Sequence, residues 1–168
     1  MSPFRHILVG TDFGEASTSA VDLAIDIASR YDSRLTVLHT TWLPTSTYAS
    51  YEGDKYWPAG DVAKEDQAAY DMELQRVRAR YPKAVGSIVT GEAWEMLLST
   101  ARDIGADLIV LGTHGRRGVS RVLLGSVAEK VVRLSPVPVL TVSGKADRDA
   151  KEKAQSNDAT ALPLRPRA

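Results

Sequence analysis

Short aliphatic runs alternate along the chain with longer segments of helical periodicity. The runs at residues 7–9, 35–38, 85–89, 108–111 and 137–142 are typical of buried strands. Between them, at about residues 15–30, 70–81, 94–104 and 124–134, apolar residues recur at every third or fourth position, which predicts amphipathic helices. Strands that alternate with helices form right-handed crossovers and a parallel sheet. The pattern therefore predicts an open α/β sandwich with five parallel strands and helices on both faces.

Two segments depart from this pattern. Residues 42–61 are long for a connection within a compact domain and hold a cluster of tryptophans and tyrosines. We interpret them as a loop whose rings pack on the domain's own helices or on a second subunit, and a lid over a bound ligand is the alternative. Residues 145–168 are rich in Lys, Asp, Ala and Pro, which is typical of a disordered tail. We therefore predict one domain over residues 1–144, followed by that tail.

The composition excludes several classes of function. The 21 Lys and Arg residues balance 21 Asp and Glu residues, so we expect no electrostatic binding to nucleic acid or to an anionic membrane. The chain has no cysteine, which excludes disulfides, thiolate nucleophiles and cysteine-ligated zinc. No apolar run approaches the roughly 20 residues of a membrane span, and residues 1–10 do not resemble a secretory signal. We expect a cytoplasmic protein.

Glycines are concentrated between the fourth predicted strand and the last predicted helix. Gly112, Gly115, Gly118 and Gly125 lie there, and Ser126 follows. Glycine permits positive φ and a close approach of the backbone to an anion, while the amides and the dipole of the next helix favour negative charge. Ser126 is suited either to cap that helix or to bond a phosphate oxygen. The stretch therefore predicts a phosphate site, the alternative being a simple turn between strand and helix.

Other nucleotide-binding and catalytic motifs are missing. No lysine follows Gly125, as a P-loop requires, and no G-x-G-x-x-G follows the first strand. No serine lies in G-x-S-x-G, and no nucleophile–base pair is evident, so we predict no catalytic residue and no enzyme, although slow ATP hydrolysis stays open. His6, His39 and His114 are scattered and do not have the spacing of metal ligands.

The glycine spacing resembles that of a known family. Gly112-x2-Gly115-x9-Gly125-Ser126 is similar to the G-2x-G-9x-G-(S/T) motif of the ATP-binding universal stress proteins. Other parts of the chain are also similar to their counterparts in that family: the first strand with Asp12 after it, the fourth strand, and the closing helix and strand. The resemblance covers about residues 3–143 and excludes the tail.

The resemblance implies a Rossmann-like fold, similar to the adenine-nucleotide α-hydrolases, with strand order 3-2-1-4-5. In that order the first and fourth strands are neighbours at a topological switch point, where such sheets bind ligands. ATP would lie in this crevice, with Asp12 near the ribose and adenine and the backbone of Thr40 at the adenine edge. The expected ATP-binding residues are Gly10, Thr11, Asp12, Thr40, Leu111, Gly112, Thr113, Gly115, Arg116, Gly125, Ser126 and Val127.

The resemblance also implies a function and an assembly. The chain would act as a nucleotide-dependent stress-response regulator or sensor, with Mg²⁺ or Mn²⁺ carried by the ATP phosphates. It would form a homodimer through the last strand, at residues 137–142, which lies at a sheet edge. The alternatives are a weak ATP-hydrolysing enzyme related to the adenine-nucleotide α-hydrolases and a dimeric interaction module with a non-functional pocket.

Overall fold

The computed structural model describes residues 3–41, 59–113 and 124–144. Strands and helices alternate in these ranges, as the hydrophobic pattern predicts. The elements are β1 (His6–Thr11), α1 (Glu15–Tyr31), β2 (Arg34–Thr41), α2 (Ala59–Arg80), β3 (Val85–Thr90), α3 (Ala93–Asp103), β4 (Leu108–Gly112), α4 (Ser126–Leu134) and β5 (Val139–Val142). The predicted tail, the predicted loop up to residue 58, and Gly115 and Arg116 lie outside the described residues.

The five strands form one parallel sheet in the order β3-β2-β1-β4-β5. β1 pairs with β2 on one side and with β4 on the other, so that Val9 lies between Val37 and Val110. Helix α1, which follows β1, and helix α4, which follows β4, pack on opposite faces of the sheet. The predicted five-stranded order is confirmed, and the carboxyl ends of β1 and β4 form its topological switch point.

Two apolar clusters fill the space between the sheet and its helices. The first lies under α1 and α2 and includes Ile7, Val9 and Val77. The second lies under α3 and α4 and includes Leu8 and Leu98. Successive residues of a strand point to opposite faces, so β1 contributes to both clusters in turn. The sheet is therefore covered on both sides, which explains why its strands are continuous aliphatic runs.

Several element boundaries differ from those predicted, and the differences at α2, β5 and α4 have a physical reason. Helix α2 begins at Ala59, so the last residues of the predicted loop 42–61 are helical. Strand β5 begins at Val139 and not at residue 137, because Pro138 has no N–H, although its carbonyl accepts a bond from the Ile109 amide. Helix α4 begins after Leu124, and Leu134 at its other end is 49% exposed, so these two residues lie outside its buried face.

Among the described residues, no helix combines the length and the apolar character needed to cross a bilayer.

Candidate functional site

A crevice of about 200 Å³ opens at the switch point. It is formed by the carboxyl ends of β1, β2 and β4 and by the first turns of α3 and α4. Its lining residues are Gly10, Thr11, Asp12, Ser17, Leu38, Thr40, Ala93, Leu97, Leu111, Gly112, Thr113, Gly125, Ser126, Val127 and Ala128.

The structure brings together the site residues predicted from the sequence. Every one of them that lies in the described ranges lines the crevice: Gly10, Thr11, Asp12, Thr40, Leu111, Gly112, Thr113, Gly125, Ser126 and Val127. They come from three strands and one helix that are far apart in the chain. Gly115 and Arg116, the other two predicted residues, fall outside the described ranges.

One end of the crevice is apolar. Gly10 lies in its floor, and a Cβ built at that position would lie 3.2 Å from Leu97 Cδ2. Leu38 and Leu111 are buried beside it. Leu97 of α3 therefore packs directly over Gly10 of β1, and the apolar surface that these residues form with Leu38 and Leu111 is suited to a planar ring.

The opposite end presents backbone amides from the first turn of α4. Gly125 is the N-cap residue of this helix, and no side chain caps it within the described part of the chain. The Gly125 N–H donates to the Thr113 carbonyl at 2.6 Å, and the Gly125 carbonyl accepts from the Glu129 N–H at 2.8 Å. The amides at positions 126–128 therefore start the helix at the crevice wall, where the helix dipole favours an anion.

The structure narrows two of the possibilities that the sequence leaves open here. Ser126 is the first residue of α4 and not its cap, which leaves a bond to phosphate as the other alternative. Gly125 has φ −59°, and the positive-φ glycines in the described ranges are Gly91 and Gly105, so neither Gly112 nor Gly125 uses the positive φ that glycine permits. Residues with a side chain can also adopt the backbone conformation of Gly125.

Gly112 lies at the crevice but packs against the protein. A Cβ at this position would be 2.8 Å from both the Ala16 carbonyl carbon and the Ser17 nitrogen. Both atoms belong to the backbone of α1, which has little freedom to move away. Gly112 therefore allows β4 and α1 to approach closely.

The turn between β1 and α1 is held by local hydrogen bonds. Asp12 Oδ1 accepts from the Gly14 N–H at 3.0 Å, which places the carboxylate just ahead of the helix. The Ser17 hydroxyl donates to the Gly14 carbonyl at 3.0 Å. Between these residues, Phe13 adopts φ 63°, a left-handed conformation that is unusual for a bulky side chain. The turn is thus a fixed, strained wall of the crevice.

The sequence pattern missed five lining residues: Ser17, Leu38, Ala93, Leu97 and Ala128. The two leucines were predicted, but as core residues, because an aliphatic residue has the same pattern in a core and in an apolar pocket. The other three are small residues in the first turn of a helix, and their contribution depends on where that turn meets the sheet.

Two of the histidines are buried. His6 Nδ1 donates to the Ile104 carbonyl at 3.0 Å, and the Thr36 hydroxyl donates to its Nε2 at 2.8 Å when the ring is neutral. Burial lowers the pKa of His6, so the neutral form is favoured. His39 lies opposite Thr11 in the β1–β2 register, on the sheet face away from the crevice.

A cation–π pair joins the two helices that flank the crevice. Lys130 Nζ of α4 lies 5.0 Å from the centre of the Trp94 ring in α3. This contact links the N-terminal halves of α3 and α4. It also places one tryptophan next to Ala93 and Leu97 of the crevice, where its fluorescence can report on the site.

Known proteins are similar to this chain in sequence and in fold. The sequence profile of the Universal stress protein family matches residues 3–143. Universal stress protein YxiE of Bacillus subtilis is 30% identical over 146 residues, which cover 83% of this chain and 99% of YxiE.

Solved structures agree with the sequence comparison. Universal stress protein UspA from Lactobacillus plantarum superposes with a TM-score of 0.67 at 28% identity, covering 82% of this chain and 97% of that one. The crystal structure of a universal stress protein in complex with cAMP gives a TM-score of 0.64 at 26% identity, covering 84% of this chain and 98% of that one. The chain belongs to the universal stress protein family.

Proposed function

We propose that the crevice binds an adenine nucleotide, ATP with Mg²⁺ or Mn²⁺ on its phosphates, and that the chain is a cytoplasmic, nucleotide-dependent regulator of a stress response. The observation that carries this proposal is the first turn of α4, where backbone amides face a crevice and no described side chain caps them. Amides in this arrangement bind phosphate oxygens. The metal would be held by the phosphates, so it needs no cluster of protein ligands.

The apolar end of the crevice supports the choice of a nucleotide over a free phosphate. Leu38 and Leu97 lie beside Gly10 in the crevice, on the side where Thr40 precedes the last residue of β2. A flat base fits there while its phosphates lie at Gly125. The relative crystallised with cAMP is a family member that holds an adenine nucleotide. Thr40 presents a polar side chain beside the base, and its backbone groups are suited to bond the adenine edge.

A titration with labelled ATP tests the proposal directly. We expect saturable binding, with competition by unlabelled ATP and weaker competition by adenosine and by inorganic triphosphate, since each of these occupies one end of the crevice. ADP, AMP and cAMP as further competitors will rank the nucleotides. Competition by inorganic triphosphate alone would show an anion site without a base pocket and would refute the nucleotide proposal.

A substitution at Gly125 tests the phosphate end. Asp is a preferred N-cap residue and fits the backbone conformation of Gly125, so Gly125→Asp is expected to keep or raise the stability of the protein. Its carboxylate would bond the first-turn amides and repel phosphate, and we expect at least a tenfold loss of ATP affinity. Gly125→Asn has the same shape without the charge and is the matched control, with a smaller loss expected. ATP affinity unchanged in Gly125→Asp would contradict the proposed site.

We also propose a homodimer through β5, which forms an edge of the sheet. The carbonyls of Pro138 and Val142 accept bonds from β4, so the backbone groups of the alternate residues Val139 and Thr141 point to the open side. An apolar edge of this kind is protected when it pairs with another strand.

The mass in solution tests the dimer. Light scattering of the wild-type chain at micromolar concentration should give twice the monomer mass. Thr141→Pro removes an outward N–H and should shift the mass to that of a monomer, while Thr141→Val keeps the N–H and is the control. A monomeric wild type would refute this proposal and leave the nucleotide proposal intact.

A further inference from the structure

His39 carries a buried nitrogen without a hydrogen-bond partner. The residue is 5% exposed, in β2, next to the end of β1. Its Nδ1 lies 2.8 Å from the Thr11 carbonyl oxygen, and a carbonyl only accepts, so the proton is on Nδ1. In the neutral ring Nε2 is therefore an acceptor, and within the described part of the chain nothing donates to it.

The group in front of this nitrogen is a carboxylate. Asp66 Oδ2 of α2 lies 4.0 Å from His39 Nε2, and the Asp66 side chain is 23% exposed. Two acceptors then face each other in a largely dry place, an arrangement that is unfavourable for a neutral ring. A proton on Nε2 turns the same pair into a charge-assisted hydrogen bond after a small movement of either side chain.

Among the described residues, the other groups around the ring do not compete for this proton. The Phe13 ring centre lies 4.4 Å away, and the Tyr70 ring of α2 lies 6.2 Å away in a stacked arrangement. Burial raises the pKa of Tyr70, whose hydroxyl donates to the Val37 carbonyl, so it stays neutral near pH 7. Ile88, the β3 neighbour in register with His39, is apolar. Asp66 is therefore the charged group that faces Nε2 from α2.

His39 contacts the β1–α1 turn, which forms one wall of the crevice, on the side away from the crevice. The Thr11 carbonyl bonds to the ring, and the Thr11 hydroxyl oxygen accepts from the Phe13 N–H at 3.2 Å. Phe13, in its left-handed conformation, packs on the same ring. Thr11 and Asp12 both line the crevice. A ring that is bonded at both nitrogens would hold this strained turn in place before a ligand arrives, which lowers the ordering cost of binding.

We propose that His39 is a positioning residue for the nucleotide crevice, and that a proton held between His39 and Asp66 tightens nucleotide binding. This inference rests on the proposed function. Affinity for the nucleotide is then higher when His39 carries this proton, so it rises as the pH falls. By linkage, bound nucleotide must favour the protonated form of His39.

The test compares ATP affinity at pH 8 and pH 6 in the full chain. ATP phosphates titrate in the same range, so the variant Asp66→Asn supplies the reference. Its amide donates to the neutral Nε2, so no proton is needed there. We expect the affinity gain on lowering the pH to be about fivefold larger in the wild type than in Asp66→Asn. Glu65→Gln removes a neighbouring exposed carboxylate of α2 and should behave as the wild type.

A second measurement needs no change at Asp66. Imidazole NMR spectra of the wild type are recorded between pH 5.5 and 8.5, with and without saturating ATP. The His39 signals are assigned by their loss in His39→Gln, and their midpoint is compared between the two series. We expect ATP to move the His39 midpoint to higher pH, a result that a purely structural histidine would not give.

The outcomes separate the two proposals. If ATP binds, but the pH dependence is the same in the wild type and in Asp66→Asn and the His39 midpoint does not move, the positioning proposal is overturned and the proposed function stands. If no adenine nucleotide binds at any pH, the proposed function is overturned and this inference falls with it. If Asp66→Asn does not fold, the wild-type NMR measurement alone tests the positioning proposal: a His39 midpoint that ATP moves to higher pH supports it, and an unmoved midpoint overturns it.

Discussion

Three glycines at the crevice have three different physical purposes. Gly10 leaves room for the Leu97 side chain of α3, Gly112 lets the backbone of β4 approach that of α1, and Gly125 starts a helix without a capping side chain. The sequence analysis names all three as site residues, but it cannot separate these purposes, because each requires only that a side chain be absent. The neighbours that distinguish them, such as the backbone at Ala16, come from a distant part of the chain.

The packing purpose of Gly112 leads to a prediction about stability. Gly112→Ala places a Cβ against the backbone of Ala16 and Ser17, and we expect a loss of about 1–3 kcal/mol in the free energy of unfolding. Gly144→Ala is the matched control, since its Cβ would lie 3.5 Å or more from its neighbours. Urea unfolding followed by circular dichroism measures both. Equal stability of the two variants would contradict the packing interpretation.

The burial of His6 predicts how stability depends on pH. The folded state disfavours the charged ring, so the pKa of His6 is lower in the folded than in the unfolded chain. Below about pH 6.5 the unfolded chain binds a proton that the folded chain does not, and stability falls as the pH falls. In His6→Gln the decrease in unfolding free energy between pH 7.5 and pH 5.5 should be smaller. The same decrease in both proteins would show that His6 does not contribute.

Among the elements, α2 shows most clearly what the pattern predicts and what it misses. Tyr70 and Val77 are buried under the sheet, and the helix was predicted from their spacing. The helix begins eleven residues earlier, at Ala59, in a stretch of small and polar residues that lacks a helical repeat of large apolar residues. Hydrophobic patterning depends on large apolar residues at helical spacing, so it detects only the later part of this helix.

A network of ion pairs connects α2 to α1. The Arg76 guanidinium donates to Asp22 of α1 at 2.6 Å and to both carboxylate oxygens of Glu73 at 2.8 and 3.0 Å. Glu73 is 11% exposed, so it depends on this partner. The hydrogen bonds to Glu73 and then to Asp22 raise the pKa of Arg76, which stays charged at every pH of interest.

Removal of this guanidinium should destabilise the protein. We expect Arg76→Ala to cost about 1–2 kcal/mol of unfolding free energy, less than for a fully buried pair because 36% of the Arg76 side chain is exposed. Glu73→Gln added to Arg76→Ala should restore part of the lost stability, because a neutral amide then replaces the unpaired carboxylate. Lys83→Ala, which breaks an exposed pair with Asp32, is the control and should change stability little. Equal effects of Arg76→Ala and Lys83→Ala would contradict a special contribution of the network.

In the whole molecule, the strand order brings the crevice together. Asp12 and Gly112 are a hundred residues apart in sequence and meet because β1 and β4 are neighbours. The alternation of strands and helices predicts a parallel sheet, but the order 3-2-1-4-5 came from the resemblance to a family, since alternation alone fits several strand orders. Once the order is known, the position of the crevice follows from the topology.

Because the crevice is assembled from five distant segments, it exists only in the folded chain, and a bound nucleotide must stabilise the whole molecule. ATP at about 100 times its dissociation constant should add roughly 2.7 kcal/mol to the free energy of unfolding. For a domain of this size, that corresponds to a rise in Tm of about 5–10 °C. Thermal melts of the wild type and of Gly125→Asp, each with and without ATP, measure the effect. A rise in Tm that is equal in both proteins would locate the stabilising nucleotide away from the first turn of α4, since the Asp substitution blocks only that end of the crevice.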